Sequence, residues 1–225
     1  MKNVIQYSYR RNHLSTMLGI FLFFQAATSL ISGAFLFNQL VDDTDIIATM
    51  QNVANNPTTV QAAILLDIFT AMGIIVLAVC LYRLLKKTDK LFASIALALY
   101  VFEATLLVVS KYVIFAFLGL STLYLDSPTI EIANYASIVL DVNGYIYSSH
   151  IIPFGFAAII FYYLLFKSNT VPKWLALWGL ITVPIVLIGV VLMMYNVNVP
   201  FFLLVPYVPF EFVAGIFILV KGLKT

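Results

Sequence analysis

Residues 59–90 read TVQAAILLDIFTAMGIIVLAVCLYRLLKKTDK, an apolar run that ends in an aromatic and basic anchor. The run is longer than the about 20 apolar residues that a helix needs to cross a bilayer. Its only charged residue before Arg83 is Asp67. We therefore predict a membrane-spanning helix over 59–85, with its basic end at the membrane interface.

The basic residues of the whole chain follow the same logic. All of the 12 Lys and Arg residues except Lys111 fall at four places, and the segments between alternate places carry none. Short loops that are rich in Lys and Arg stay on the cytoplasmic side of a membrane. The pattern predicts six spans with both termini cytoplasmic. The four clusters are Lys2, Arg10 and Arg11; Arg83, Lys86, Lys87 and Lys90; Lys167 and Lys173; and Lys221 and Lys224.

Composition agrees with a chain that is mostly embedded in the cell membrane. Hydrophobic residues make up 63% of it, charged residues only 10%, and the mean hydropathy is +1.03, whereas soluble domains have about 25% charged residues. Backbone that faces lipid must satisfy its own hydrogen bonds. We predict an all-α, six-helix transmembrane bundle that forms one domain, residues 1–225, with residues 119–140 as the longest connection, on the outer surface. The predicted spans are 14–40, 59–85, 91–118, 141–166, 174–195 and 200–223.

Several functional classes are disfavoured by the sequence. The net charge of +2 reflects topology signals, so no nucleic-acid partner is expected. Cys80 is the single cysteine, which excludes a disulfide within the chain and a multi-thiolate zinc site. The chain has no phosphate-binding loop, dinucleotide fingerprint or hydrolase motif. We expect no cofactor and no metal, although a mixed carboxylate–His150 metal site stays a minor alternative. The expected partners are membrane lipids and a small-molecule ligand, and the oligomeric state is not indicated.

The most distinctive stretch is residues 162–181, YYLLFKSNTVPKWLALWGLI. It resembles a prokaryotic integral-membrane family known as domain of unknown function 4386. The runs SLISGA at 29–34, YVFEA at 100–104 and ILVKGL at 218–223 are similar to that family as well. The resemblance implies a membrane location and six spans, and it implies no particular activity.

Ionisable residues inside the apolar runs are the best pointers to function, because a charged side chain at a helix centre costs about 2.5–3.5 kcal/mol. Glu103 lies about 20 Å along its helix from Lys90, and Glu211 about 15 Å from Lys221. These two carboxyls are expected at similar depth. If the last helix begins at Pro206 instead, Glu211 lies in an early turn nearer the outer surface.

We predict a polar pocket that opens toward the outside. The alternative is that these polar groups only make hydrogen bonds between helices, and we favour this for Gln25 and for the Ser and Thr residues near it. For Asp67, Asp141 and Lys111 the alternative is a position near enough to the outer surface that the side chains are simply solvated. Ser29 and Gly33 are spaced to permit a close helix contact. The residues predicted to line the pocket are Gln25, Asp67, Glu103, Lys111, His150 and Glu211.

Three functions remain open, in order of preference. The first is a small-molecule, ion or lipid binding or transport module that uses Glu103 and Glu211. The second is a structural or sensory membrane subunit. The third is an intramembrane enzyme acting on a lipid, with His150 as a base paired with Glu103 or Asp67.

Overall fold

The computed structural model describes residues 9–195 and 197–224, with only the backbone of Phe201. Lys2 of the first basic cluster lies outside the described residues. The described chain is all-α apart from one short strand pair, β1 (Tyr9–Arg10) and β2 (Leu223–Lys224). The helices are α1 (His13–Leu30), α2 (Ile46–Asn55), α3 (Pro57–Leu85), α4 (Lys90–Asp126), α5 (Ile130–Ser168), α6 (Lys173–Met194) and α7 (Tyr207–Lys221), with a π-helical segment at Ile31–Phe37 and 3₁₀ turns at Asn38–Leu40 and Phe201–Leu203.

Five helical segments in the described residues are long and apolar enough to cross a membrane: His13–Leu40, α3, α4, α5 and α6. The predicted sixth span, 200–223, is a shorter helix than expected. Helix α7 has 15 residues, which is about 22 Å of helix against a hydrocarbon core of about 30 Å. Its N-cap is Pro206, so the later of the two predicted starting points is the one that the structure has.

The prediction of a long connection over 119–140 is wrong, because nearly all of these residues are helical. Helix α4 has 37 residues and α5 has 39, so each is about 55–60 Å long at 1.5 Å per residue. Only residues 127–129 separate them, and the Thr129 hydroxyl accepts a hydrogen bond from the Ile132 amide to start α5. The two helices therefore extend well past the length that a bilayer requires.

These long helices pack on α2 to form what we call the distal extension, at the end of the bundle away from the chain termini. Helix α2 starts where the Asp45 carboxylate accepts hydrogen bonds from two backbone amides of its first turn. Its Met50 and Val53 are fully buried against Phe117 and Ala136. This second apolar cluster explains why the chain stays helical beyond the membrane.

The opposite end, which we call the terminal end, gathers the first and last described residues. Strands β1 and β2 pair antiparallel, and the Lys224 amide donates to the carbonyl of Thr170 in the α5–α6 turn at 2.8 Å. Gly222 has φ of 81° and lies so close to the Arg10 carbonyl that a Cβ would collide with it. Arg83 and His13 line one groove, so the α3–α4 turn lies at this end too. The described basic clusters therefore share one end of the bundle.

Helices α1 and α7 cross closely at two glycines. A Cβ on Gly19 would lie 2.7 Å from Leu219 Cγ, and one on Gly215 would lie 3.0 Å from the Phe23 backbone nitrogen. A Cβ on Gly33, by contrast, would meet no atom within 4 Å. The close contact predicted at Ser29 and Gly33 is thus not made within the described chain, and the small-residue packing of α1 lies three turns nearer the terminal end.

Candidate functional site

A hydrogen-bonded carboxyl lies where α1 meets the first turns of α7. The Oε1 atom of Glu211 accepts a hydrogen bond from Gln25 Nε2 at 2.8 Å and another from the Tyr207 hydroxyl at 2.7 Å. Because the Tyr207 hydroxyl donates to Glu211, it accepts from Tyr162, whose hydroxyl oxygen lies 3.5 Å away. Three helices thereby fix the orientation of one carboxyl group. We call Glu211, Gln25, Tyr207, Tyr162 and Glu103 the carboxyl centre.

Glu103 is the buried second acid of this centre. Its side chain is 4% exposed, and its Oε2 atom has no hydrogen-bond partner among the described residues. It interacts electrostatically with Glu211. Tyr100 lies one turn before it on α4 and stacks on Phe161 of α5 at a centroid distance of 5.5 Å. Glu103 is therefore buried inside the bundle, one turn along α4 from a stacked aromatic pair.

A second polar cluster, the ion-pair centre, lies between α3, α4 and α5. Lys111 Nζ is 2.7 Å from Asp67 Oδ2, and the two side chains are 10% and 8% exposed. The same ammonium group lies 4.9 Å from the centroid of the Tyr147 ring, a distance at which a cation is attracted to the ring face. The His150 ring packs edge-on against Tyr147, with a centroid separation of 4.8 Å. The predicted alternative that Asp67 and Lys111 are merely solvated is therefore wrong.

Neither ring nitrogen of His150 has a hydrogen-bond partner within the described part of the chain. The predicted catalytic dyad, with His150 paired to Glu103 or Asp67, is thus not formed in this structure. Asn143, two turns before His150 on the same face of α5, also has a buried side-chain oxygen without a partner among those residues. These buried side-chain atoms could therefore make hydrogen bonds that no described residue satisfies.

The Ser and Thr stripe of α1 mainly joins α1 to α3. The hydroxyls of Thr28 and Thr70 lie 2.6 Å apart, and the Ser32 hydroxyl donates to the Ala63 carbonyl at 2.9 Å. These contacts confirm the hydrogen-bonding alternative for the stripe. Gln25, which shares it, instead holds the carboxyl of Glu211.

An open cleft adjoins the carboxyl centre. It spans about 580 Å³ of empty space, the open space at its mouth included, between α1, its π-helical continuation, α5 and α7. Both hydrogen bonds that Glu211 makes with the described residues go to Oε1, which leaves Oε2 as an acceptor without a donor among those residues. The π-helical segment forms part of one wall, and such segments occur frequently at functional sites. The cleft is lined by Ala26, Ser29, Leu30, Gly33, Ala34, Asn38, Tyr147, Val208, Glu211 and Phe212.

The six predicted pocket residues therefore divide between two centres. Gln25, Glu103 and Glu211 belong to the carboxyl centre, whereas Asp67, Lys111 and His150 belong to the ion-pair centre. Tyr147 links the two, since it touches Lys111 and His150 and also lines the cleft. Of the six, Glu211 is the one that lines this cleft.

Sequence reasoning missed the role of the tyrosines. Tyr162 lies only five residues before Lys167 of the basic clusters, yet it is buried inside the bundle at 5% exposure. Tyr207 precedes Glu211 by one turn, and residues at i and i+4 share a helix face, so this spacing was the available signal. The π-helical segment had no such signal.

Metal chemistry finds little support in the geometry. No group of three or more His, Cys, Asp or Glu side chains comes together within residues 9–195 and 197–224. The arrangement instead offers one oriented carboxyl oxygen, one buried acid behind it and a neighbouring cation that is already paired.

By the length and apolar character of its helices, the molecule is a multi-pass α-helical membrane protein with polar centres inside the bundle. The chain belongs to the family described as domain of unknown function (DUF4386), which matches residues 17–222. This confirms the resemblance seen in the sequence. Neither the curated proteins nor the solved structures contain a significant match.

Proposed function

We propose that the protein is a membrane-embedded binding or transport module for a small solute, with Glu211 as the group that recognises it. The observation that carries this proposal is the state of the Glu211 carboxyl. One oxygen is fixed by Gln25 and Tyr207, and the residue forms part of the wall of an open cleft. If Glu211 served only to join helices by hydrogen bonds, no cleft beside it would be needed.

The chemistry of the wall indicates the class of solute. A carboxylate oxygen that has no donor is an acceptor, so it favours a ligand with an N–H or O–H group, and most of all a cationic amine. Tyr147 faces the same space, and aromatic faces attract cations. The apolar part of the lining suits a small organic body attached to that donor.

Glu103 has a supporting place in this proposal. It interacts electrostatically with Glu211, and its Oε2 atom has no hydrogen-bond partner among the described residues. Binding of a proton or a cation at Glu211 therefore changes the electrostatic energy of Glu103 as well. The hydrogen bonds that join α1, α5 and α7 depend on the charges of both acids. This couples occupancy of the cleft to helix packing, which a transport cycle requires.

The topology completes the proposal. We propose six spans in one membrane domain, with α7 and the irregular segment before it forming the sixth. We propose that the terminal end faces the cytoplasm, because the described basic clusters lie there and basic loops stay inside. The cleft then lies in the outer half of the bundle, on the side of the distal extension.

Ligand-dependent stabilisation tests this function. Small molecules that are retained by the purified protein are identified by mass spectrometry, and amines, alcohols and carboxylates of matched size are added to the panel. A ligand at about 100 times its Kd stabilises the folded state by about 2.7 kcal/mol, which raises Tm by about 5–10 °C for a chain of this size. We expect this rise for amines, and we expect Glu211→Gln to remove it.

The matched control is Glu131→Gln, which neutralises an exposed acid on α5 and is expected to leave the rise intact. Glu103→Gln is expected to reduce the rise, because the electrostatic partner of Glu211 is lost. The proposal fails if the Glu211→Gln variant responds like the wild type, or if the three compound classes act alike. Uptake into proteoliposomes then separates transport from binding alone.

A further inference from the structure

A second recess lies on the flank of the bundle at the terminal end, where α1 and α3 separate. The two helices are in contact nearer the distal extension. The hydroxyls of Thr28 and Thr70 form a hydrogen bond there, and a Cβ on Gly73 would lie 3.2 Å from the Phe24 ring. Toward the terminal end they leave a groove with about 870 Å³ of empty space. We call this recess the α1–α3 groove.

The lining of the groove is divided by chemistry. Along its length it is apolar, with Met17 on one side and Ile75 and Val79 on the other. Ile75 and Val79 are 39% and 42% exposed, although they lie in the middle and last third of a membrane-crossing helix. What fills the groove in a bilayer is therefore an apolar chain.

The end of the groove is polar and positively charged. Arg83 is exposed there and has no acidic partner among the described residues. The Asn12 Oδ1 atom accepts a hydrogen bond from the Ser15 backbone amide, so the side-chain NH₂ group of Asn12 remains a donor. The exposed His13 side chain lines the same end of the groove. A guanidinium fork and an amide at the same spot match the oxygens of a phosphate group.

We propose that the α1–α3 groove binds an anionic membrane phospholipid. Its phosphate group lies against Arg83 and Asn12, and one acyl chain follows the apolar wall for about 12 Å, the rise of α3 from Arg83 to Ile75. Charge complementarity favours this occupant over a helix from a second copy of the chain, because an apolar helix leaves Arg83 buried without a partner. Basic pockets between membrane helices on the cytoplasmic side bind acidic headgroups in this way. This inference does not depend on the proposed solute site.

The test is lipid binding to the delipidated full-length protein, measured by native mass spectrometry and by Tm in detergent. Phosphatidylglycerol and phosphatidylcholine with identical acyl chains are compared. We expect tighter binding of phosphatidylglycerol, and we expect Arg83→Gln to weaken it roughly tenfold, the effect of losing one hydrogen bond to a charged group. Lys87→Gln removes an exposed cation at the same end of the bundle and is expected to change this affinity little.

A second variant keeps the test independent of Arg83. Val79→Trp fills the groove from the α3 side and is expected to reduce the binding of both lipids, while its Tm without lipid reports whether it folds. Equal affinity for the two lipids, or unchanged phosphatidylglycerol binding in Arg83→Gln, overturns the proposal. The same holds if glycerol phosphate alone raises Tm as much as the lipid does, because the site then needs no acyl chain.

Discussion

The Asp67–Lys111 ion pair allows a quantitative test of how polar groups are held inside this bundle. At 2.7 Å, two unit charges attract each other by about 6 kcal/mol for an effective dielectric constant of about 20. Most of this attraction is offset by the removal of both groups from water. Loss of one partner leaves the other charge buried and unpaired, which costs about 3–5 kcal/mol. At about 2–4 °C per kcal/mol, Lys111→Met is expected to lower Tm by about 6–20 °C, and so is Asp67→Leu.

The double variant Asp67→Leu/Lys111→Met is the decisive arm. Replacement of a whole buried pair by apolar residues of similar volume is near neutral or stabilising, so its Tm is expected to be equal to or above that of the wild type, and no more than about 4 °C below it. The assay is size-exclusion chromatography of the heated protein in detergent, with Asp141→Asn, an exposed acid on α5, as the control. If both single variants match the wild type, the pair is solvated and the described ion-pair centre is wrong. If the double variant is as unstable as the singles, packing rather than charge explains the loss.

Three further predictions concern other parts of the fold. Gly215→Ala is expected to lower Tm by about 2–12 °C, because a Cβ there would meet the Phe23 backbone at 3.0 Å and overpacking costs about 1–3 kcal/mol. The control is Gly33→Ala, where a Cβ would meet no atom within 4 Å. Equal effects of the two substitutions on Tm contradict the described crossing of α1 and α7. Phe117→Ala is expected to cost about 3–5 kcal/mol and to expose the distal extension to limited proteolysis; unchanged cleavage contradicts its packing on α2. Hydrogen bonds from the Thr44 backbone and hydroxyl hold the pKa of Asp42 below its ordinary value of 3.8, so this turn is stabilised above that pH and loses the stabilisation as the pH falls through the lowered pKa; an NMR titration midpoint at or above 3.8 contradicts this.

The membrane helices were predictable where the sequence marks both of their ends. The span predicted over 59–85 is observed as Pro57–Leu85, because Pro57 starts the helix and the basic cluster that begins at Arg83 marks its end. The turn at 169–172 was located equally well from the charges that flank it. Hydropathy and charge act locally along the chain, so a single sequence is sufficient for them.

The distal extension was missed because its stability is tertiary. Residues 119–140 stay helical since Phe117 and Ala136 find Met50 and Val53 of α2 as partners. A sequence window of bilayer length cannot detect such contacts between helices, because it assigns the same length to every span. The length of α4 and α5 therefore depends on a helix that the sequence pattern had placed in a loop.

The candidate site was predictable in its residues and not in their partners. Intramembrane acids and the polar face of α1 are visible in the sequence, whereas the Gln25–Glu211 hydrogen bond joins residues at opposite ends of the chain. Whether Lys111 is solvated or paired depends on how α3 packs on α4, which periodicity does not determine. The separation into two centres follows from that packing.

The central claim is that the cleft admits a solute and that Glu211 gives it negative character. The most direct measurement is thiol labelling of Ser29→Cys in a Cys80→Ala background, comparing a trimethylammonium reagent with a sulfonate reagent of equal size. Phe69→Cys, an exposed position on an apolar helix face, is the lipid-facing control. We expect rapid labelling at position 29 with a clear preference for the cationic reagent, and loss of that preference in Glu211→Gln. No labelling at position 29, or the same preference with and without the acid, would contradict it.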